Sequence, residues 1–480
     1  MAILSRKKPH VLLLPFPGQS HIPPMMNIAY MLLNHDITIT LASFRKIISS
    51  IRSKYAKELQ GLDFHLVELD NDPEEDDEKL VEVTVPCKLE ALRHGCQPYV
   101  EKLEADRQAG NSIPTCIIAG FFLVWTEEVA VRLGMKRYIL FPNSAILPRF
   151  TQQIPELLDK GILQCGEVRK SNKGLMPFDG VLDISDVPAG LKYHEIPYSA
   201  RNFLDVVLAM NLGKTANRSI LVNTFYELDS KAIDSYNNYF PKSLSGTKAP
   251  RMYPIGPIIT MARYTSLAFN GVKETTGVEC MRWLEGQPAA SVLYICLGSM
   301  VRLCPKQIEQ LALALEATEN CRFLWVLHKG NGNFDSLEEV LPPGFEAKVE
   351  GRGMVTTGWV PQLQILAHSA VLGFLTHSGW SSTMESLTSG VPMISWPHGA
   401  EQFLNCRHMV EMKVAVEVVR DADGIVQQEE FERAFGILLG EQGKRMTKVA
   451  QELKAKGESA LTPGGSSHEA FLQLVEEIKL

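Results

Sequence analysis

The chain has 480 residues, 45% of them apolar, which suits more than one core at roughly 100–200 residues per domain. Lys and Arg total 48 against 55 Asp and Glu, and the net charge of −7 argues against a nucleic-acid-binding face. Phosphate ligands stay open, because backbone amides bind them without basic side chains. No run of about 18 apolar residues occurs, so no transmembrane span is expected. The apolar run 11–17 carries two prolines and no A-x-A-like site follows it, so it does not read as a signal peptide. Residues 476–480 match no retention signal, and a cytoplasmic location is expected. The nine cysteines form no C-x-x-C pair and read as reduced thiols, with Cys116 and Cys296 in apolar runs as core residues.

In chain order, residues 10–14 (HVLLL) read as a strand. A Pro/Gly-rich turn follows at 15–20, then a helical pattern over about 23–33 and a strand at 37–42. The acidic run 70–78 reads as a solvated loop. A strand at 116–119 leads into a helical pattern ending at Gly134, with further strands at 138–141 and 219–223. The stretch 256–277 is Gly-rich and lacks a period, which marks a linker. The second half gives strands at 291–297, 323–327, 371–376 and 393–396. Helices are expected from about 305 to 318 and from about Ser382, and a last one over 467–478. This alternation predicts an α/β fold of two Rossmann-like domains with parallel sheets covered on both faces. Ligands would sit at the carboxyl ends of the strands, in a cleft between the halves. The expected boundaries are 1–256 with the C-terminal helix 467–480 packing back on it, a linker at 257–277, and 278–466.

The segment 371–385 (VLGFLTHSGWSSTME) holds the first chemical signal. An apolar strand ends at Thr376 and His377, and Gly379 permits a tight turn. Ser381 and Ser382 are then N-cap candidates for a helix. Free amides and the helix dipole attract phosphate oxygens there, and the hydroxyls and His377 add donors. The same pattern also suits an ordinary strand-to-helix connection, so both readings stand on this segment alone.

The wider stretch 359–402 runs from Trp359-Val-Pro-Gln362 to Glu401-Gln402. It resembles the signature box of plant-type UDP-glycosyltransferases, including its length of 44 residues. Weaker landmarks of that family are Asn223-Thr-Phe-Tyr-Glu-Leu228, Ile255-Gly-Pro257, Trp283-Leu-Glu-Gly-Gln-Pro288, Leu297-Gly-Ser299, Phe323-Leu-Trp-Val326 and Leu341-Pro-Pro-Gly-Phe345. The resemblance implies a GT-B fold and a set of roles. Trp359 would stack on uracil. The Val360 backbone would meet the base edge, with Gln362 beside the nucleoside. Glu385 would accept from the ribose hydroxyls. Ser299, His377, Ser381 and Ser382 would hold the diphosphate next to Gly379. Trp380, Glu401 and Gln402 would contact the hexose, and the terminal Gln implies UDP-glucose as co-substrate. Serine stands at 378 and 381 where the family usually has Cys and Asn, and His328 stands where an Arg is common. Trp396 and Phe374 read as core. No cofactor or metal is implied: no D-x-D pair is placed for a divalent ion, and Asp183 and Asp186 have the wrong spacing.

His21 lies after the first strand, at the start of the first helix. A helix N-terminus disfavours the imidazolium and leaves a neutral base. The segment 15–24 (PFPGQSHIPP) resembles the family's Pro-x-Pro-x-Gln-Gly-His-x-x-Pro, with Ser20 in place of a glycine. The resemblance makes His21 the general base of an inverting transfer. The family's partner Asp, five residues before a Trp, falls at Gly120 before Trp125. Glu127 and Glu128 are unsuited as replacements. Three readings follow: acidic phenolic acceptors, another polar group orienting His21, or a poor catalyst.

The expected function is transfer of glucose to a hydroxyl of a small phenolic, flavonoid-like or terpenoid acceptor. Ser20, Phe122, Phe141, Ser144 and the segment 184–203 would line its pocket. The expected partners are the UDP-sugar and this acceptor, with no nucleic acid and a monomeric chain. The alternatives are a catalytically silent UDP-sugar-binding protein, another sugar (xylose, galactose or rhamnose), and C-glycosylation.

Overall fold

The computed structural model describes residues 8–18, 21–70, 85–159, 219–239, 250–258, 275–298, 301–328, 334 and 336–480. The acidic run beyond Asp70, most of the proposed linker and the segment 184–203 lie outside these residues. The chain divides into two compact units.

The first unit holds a seven-stranded parallel sheet in the order β3-β2-β1-β4-β5-β6-β7. The strands are β1 (His10–Leu14), β2 (Thr38–Phe44), β3 (Phe64–Leu69), β4 (Cys116–Gly120), β5 (Lys136–Phe141), β6 (Ser219–Val222) and β7 (Met252–Pro254). Its apolar runs are continuous because both faces are buried. Side chains alternate between faces with period two. Val11, Leu13, Cys116 and Ile118 join the core made with helix Ile22–Leu33 and the C-terminal helix Ser466–Lys479. Leu12, Leu14, Ile117 and Ala119 join the opposite core with Leu92, Cys96, Val129 and Leu133.

The C-terminal helix belongs to this first unit. It buries Phe471, Leu474, Val475 and Ile478, and its Glu477 carboxylate accepts a 3.1 Å hydrogen bond from the Tyr138 hydroxyl.

The second unit holds a six-stranded parallel sheet in the order β10-β9-β8-β11-β12-β13. Its strands are β8 (Val292–Cys296), β9 (Arg322–Val326), β10 (Gly353–Thr356), β11 (Val371–Thr376), β12 (Met393–Ser395) and β13 (Ala415–Glu417). Trp396 lies just past β12 rather than in it, and its amide donates to the Thr376 carbonyl at 2.8 Å. Trp396 and Phe374 are both fully buried, as the sequence suggests.

Phe471→Ala should lower the free energy of unfolding of the first unit by about 3–5 kcal/mol, because it removes a buried ring. Urea titration followed by circular dichroism measures this; a loss below about 1 kcal/mol would mean the helix does not share that core.

Candidate functional site

The chain after β11 makes a sharp passage into helix Trp380–Ser389. Ser378 takes a left-handed φ of 63°, and Asn405 Nδ2 donates to its carbonyl at 3.0 Å. Gly379 then caps the helix in extended conformation, without a side-chain hydrogen bond. Thr383 N donates to the Gly379 carbonyl at 2.9 Å. The amides of Trp380, Ser381 and Ser382 therefore have no acceptor inside the helix. This corrects the sequence reading: Ser381 and Ser382 are the second and third helical residues, not the N-cap, because Gly379 already supplies the first accepting carbonyl. Both serines are half-buried beside those amides.

His377 is boxed in by two glycines. A Cβ on Gly298 would stand 3.0 Å from its Cε1, and one on Gly379 would collide with its Nε2. Its Nδ1 is buried and meets no hydrogen-bond partner among the described residues. Burial pushes its pKa down to about 4, so the ring is neutral near pH 7. The hydroxyls of Ser378 and Thr383 are likewise buried without a partner there. Ser299 lies outside the described residues.

Away from this turn, Trp359 is 51% exposed, so a face of its indole is open to solvent, while the next residue, Val360, is buried. Gln362 joins three groups. It accepts from the Tyr294 hydroxyl at 3.1 Å, and its Nε2 donates to Glu385 Oε2 at 2.5 Å and to Ser382 Oγ at 3.1 Å. Gln402 Oε1 accepts from the amides of His398 and Gly399 at 2.8 and 3.0 Å. That fixes which way the amide group points and turns its NH2 away from this loop. Glu401 is half-buried in the N-cap position of helix Gln402–Glu411. The side chain of Trp380 is buried to 2% exposure; its ring belongs to the interior, and what the helix start offers at this residue is its backbone amide.

Sequence reading missed His398 and Tyr294. His398 follows Trp396 by two residues, with ring centroids 4.8 Å apart. Burial, then the Arg420 charge and His377, push its pKa down to about 3. No motif marks Tyr294, and the stretch 359–402 that contains His398 gives it no role; Tyr294 joins the site through Gln362 and His398 through His377.

In the first unit, His21 occupies the N-cap position of helix Ile22–Leu33, with no side-chain cap. Its ring faces three phenylalanines. Phe16 stands 5.2 Å away edge-on, Phe122 at 5.7 Å and Phe121 at 5.8 Å. Burial alone pushes its pKa down to about 4. The sequence argument credits the helix start with keeping the ring neutral; the apolar surroundings are the cause the structure supplies.

Gly120 ends β4. A Cβ there would lie 3.1 Å from the Phe16 amide nitrogen, so its direction is toward the segment that carries His21. Neither nearby glutamate substitutes for a carboxylate at 120: Glu128 pairs with Arg93 at 3.2 Å, and Glu127 acts on the buried Arg137. Of the remaining proposed acceptor contacts, Phe122 is half-buried. Phe141 is buried and stacks on Phe121 at 4.9 Å. Ser144 is buried with its hydroxyl unpartnered among the described residues. Ser20 lies outside them.

Residues 257–443 match the family described as UDP-glucoronosyl and UDP-glucosyl transferase. UDP-glycosyltransferase 72B1 of Arabidopsis thaliana is 31% identical over 97% of this chain and 95% of its own length. The chain belongs to the UDP-glycosyltransferases. Two solved plant members share its GT-B fold. A UDP-glucosyltransferase from Polygonum tinctorium that glucosylates indoxyl is 26% identical, with a TM-score of 0.80 over 98% of this chain and 99% of that one. A transferase from Siraitia grosvenorii in complex with UDP is 28% identical, with a TM-score of 0.79 over 98% and 100%. The protein is thus a UDP-dependent glycosyltransferase of the plant type, acting on small acceptors. No helix among the described residues is long and apolar enough to cross a membrane. No group of three or more His, Cys, Asp or Glu among them could hold a metal ion.

Within this transferase, volume added beside His377 should displace its ring. Gly379→Ala should destabilise the second unit by about 1–3 kcal/mol through overpacking and weaken UDP binding at least about tenfold by displacing the imidazole. Gly436→Ala, whose added methyl meets nothing within 4 Å inside helix Gln428–Leu439, should stabilise slightly, by about 0.5–1 kcal/mol, and leave UDP affinity unchanged. Differential scanning calorimetry and titration calorimetry read the two effects; wild-type UDP affinity in Gly379→Ala would contradict the packing described.

Proposed function

We propose that the protein transfers glucose from UDP-glucose, with inversion, to a phenolic hydroxyl of a small aromatic acceptor, with His21 as general base. The observation that carries this reading is the neutral His21 ring, set among Phe16, Phe121 and Phe122 with Gly120 where a carboxylate would otherwise stand. In the proposed step His21 takes the acceptor proton. The acceptor oxygen bonds to the anomeric carbon while the bond from that carbon to the diphosphate oxygen breaks, and UDP leaves with the electron pair.

A base whose pKa is about 4 restricts the acceptor. A phenol of pKa ~10 lies roughly 6 units above it, about 8 kcal/mol for full proton transfer. An alcohol near the pKa of water, ~15.7, lies roughly 12 units above, about 16 kcal/mol. The second gap is too large without a carboxylate to stabilise the imidazolium. Phenolic acceptors, flavonoid-like ones among them, follow from the difference. The Polygonum tinctorium relative is capable of glucosylating indoxyl.

In the second unit, the exposed Trp359 ring would stack on uracil, beside Val360 and Gln362, with Glu385 on the ribose. His377, Ser299 and the first amides and hydroxyls of helix Trp380–Ser389, at Trp380, Ser381 and Ser382, would hold the diphosphate. The scheme includes no metal or cofactor. The Gln402 NH2, oriented by the grip on its oxygen, would donate to a glucose hydroxyl, with Glu401 accepting alongside.

The reading is tested by UDP release from UDP-glucose with a series of phenols of graded acidity. Turnover should rise with acceptor acidity. Donor bound without release on any phenol would leave a UDP-sugar-binding protein, the alternative that the missing carboxylate favours.

His21→Ala should lower kcat at least about a hundredfold. The reactive form of His21 is the neutral one, present above its folded pKa and lost as pH falls through it. The acid limb of kcat/KM should therefore lie near pH 4, well below 6.5. Gly120→Asp should move that limb upward, because a nearby carboxylate favours the imidazolium, and should raise turnover most on weakly acidic alcohols. An acid limb already near 6.5 in the wild type, or no gain on any acceptor in Gly120→Asp, would count against the assignment.

Gln402→Glu keeps the accepting oxygen and removes the donor. It should raise the KM for UDP-glucose about five- to tenfold, the scale of one hydrogen bond, with UDP affinity unchanged in titration. A parallel loss for UDP alone would remove Gln402 from the sugar end.

A further inference from the structure

Tyr294 reaches Gln362 from the interior of the second sheet. It lies wholly buried in β8, stacked on Phe374 with ring centroids 5.0 Å apart. Its hydroxyl donates to Gln362 Oε1 at 3.1 Å. Through the other end of the same amide, Gln362 Nε2 donates to Glu385 Oε2 at 2.5 Å and to Ser382 Oγ at 3.1 Å. The result is a directional chain from the sheet interior to a half-buried carboxylate on helix Trp380–Ser389. Only one orientation of the Gln362 amide satisfies it, since its oxygen must accept and its nitrogen must donate.

We propose that Tyr294 is a positioning residue for nucleotide recognition: it locks the Gln362 amide, which holds the Glu385 carboxylate in the orientation that accepts from the two ribose hydroxyls. The proposal rests on the assignment of Glu385 to the ribose. Burial raises the Tyr294 pKa well above 10, so the phenol stays protonated and remains a donor at every pH the enzyme meets. Removing that donor leaves the Gln362 oxygen short of a partner and lets the amide turn or withdraw. Glu385 then loses the group that aims it. Tyr294 touches no substrate, so its influence should appear in binding and ribose selectivity rather than in the chemical step.

The test compares UDP with 2′-deoxy-UDP by titration calorimetry on the full chain. The wild type should prefer UDP. Tyr294→Phe keeps the ring stacked on Phe374 and should bind UDP about five- to tenfold more weakly, with the preference over 2′-deoxy-UDP shrinking toward one. Its KM for UDP-glucose should rise by the same factor, with kcat within about twofold. Gln362→Met, which keeps the length and removes the relay, should reproduce the loss of preference, and the two changes together should not add. A folded Tyr294→Phe with the wild-type preference would overturn the relay. Should Tyr294→Phe fail to fold, an unchanged preference in Gln362→Met would overturn it equally. A wild type that binds both nucleotides alike would instead sink the ribose assignment of Glu385, and the relay with it.

Discussion

All thirteen strands among the described residues lie in parallel sheets, and that constraint organises the chemistry. A parallel pair cannot be closed by a hairpin, so each chain leaves the carboxyl end of its strand, crosses a face through a helix and returns. Helix starts and polar turns therefore collect at one end of each sheet. His21 follows β1, Gly120 ends β4, and His377 follows β11. His398 follows β12, beside it, and the Trp396 amide bonds to the Thr376 carbonyl to hold the two crossovers together. The apolar faces that make the sheets possible leave the polar groups of both units little choice of place.

The same burial explains what could be read in advance. The central strands β1, β4, β8 and β11 are uninterrupted apolar runs because both faces are covered, and such runs are visible in sequence. The four strands that the sequence does not mark, β3, β7, β10 and β13, are the four sheet edges. β7, β10 and β13 have only three or four residues, and β3 and β10 are largely half-exposed or exposed, so their patterns are weak. At the candidate site, residues inside one contiguous motif were legible. The packing of Phe121 and Phe122 on His21 and the Tyr294 to Gln362 bond were not, because each is a contact between segments far apart in the chain; the turning of Gln402 by the His398 and Gly399 amides is local, but residue types alone do not show it. The helix start after His377 was misplaced by two residues for a simpler reason. Serine is the commoner capping side chain, but here a glycine in extended conformation takes the cap.

The two units solve related problems by opposite means. In the second, polar groups are tied down by other polar groups: Gln362 by Tyr294 and Glu385, Gln402 by two backbone amides. Orientation there comes from hydrogen bonds. Around His21, orientation comes from the edges and faces of aromatic rings, which constrain a ring's plane without supplying or accepting a proton. Such surroundings hold the imidazole neutral: among the described residues, burial is what pushes its pKa down.

That difference bears on the reverse rate as well as the forward one. A histidine that is a weak base is, once protonated, a strong acid. If His21 takes the acceptor proton going forward, then by microscopic reversibility it returns that proton to the departing phenolic oxygen going back. An imidazolium of low pKa is well suited to that task. Near pH 7, however, an imidazole of pKa about 4 carries that proton only rarely, so the aromatic surroundings would slow forward and reverse transfer alike. The balance of UDP and UDP-sugar, not the catalyst, would set which way the sugar moves.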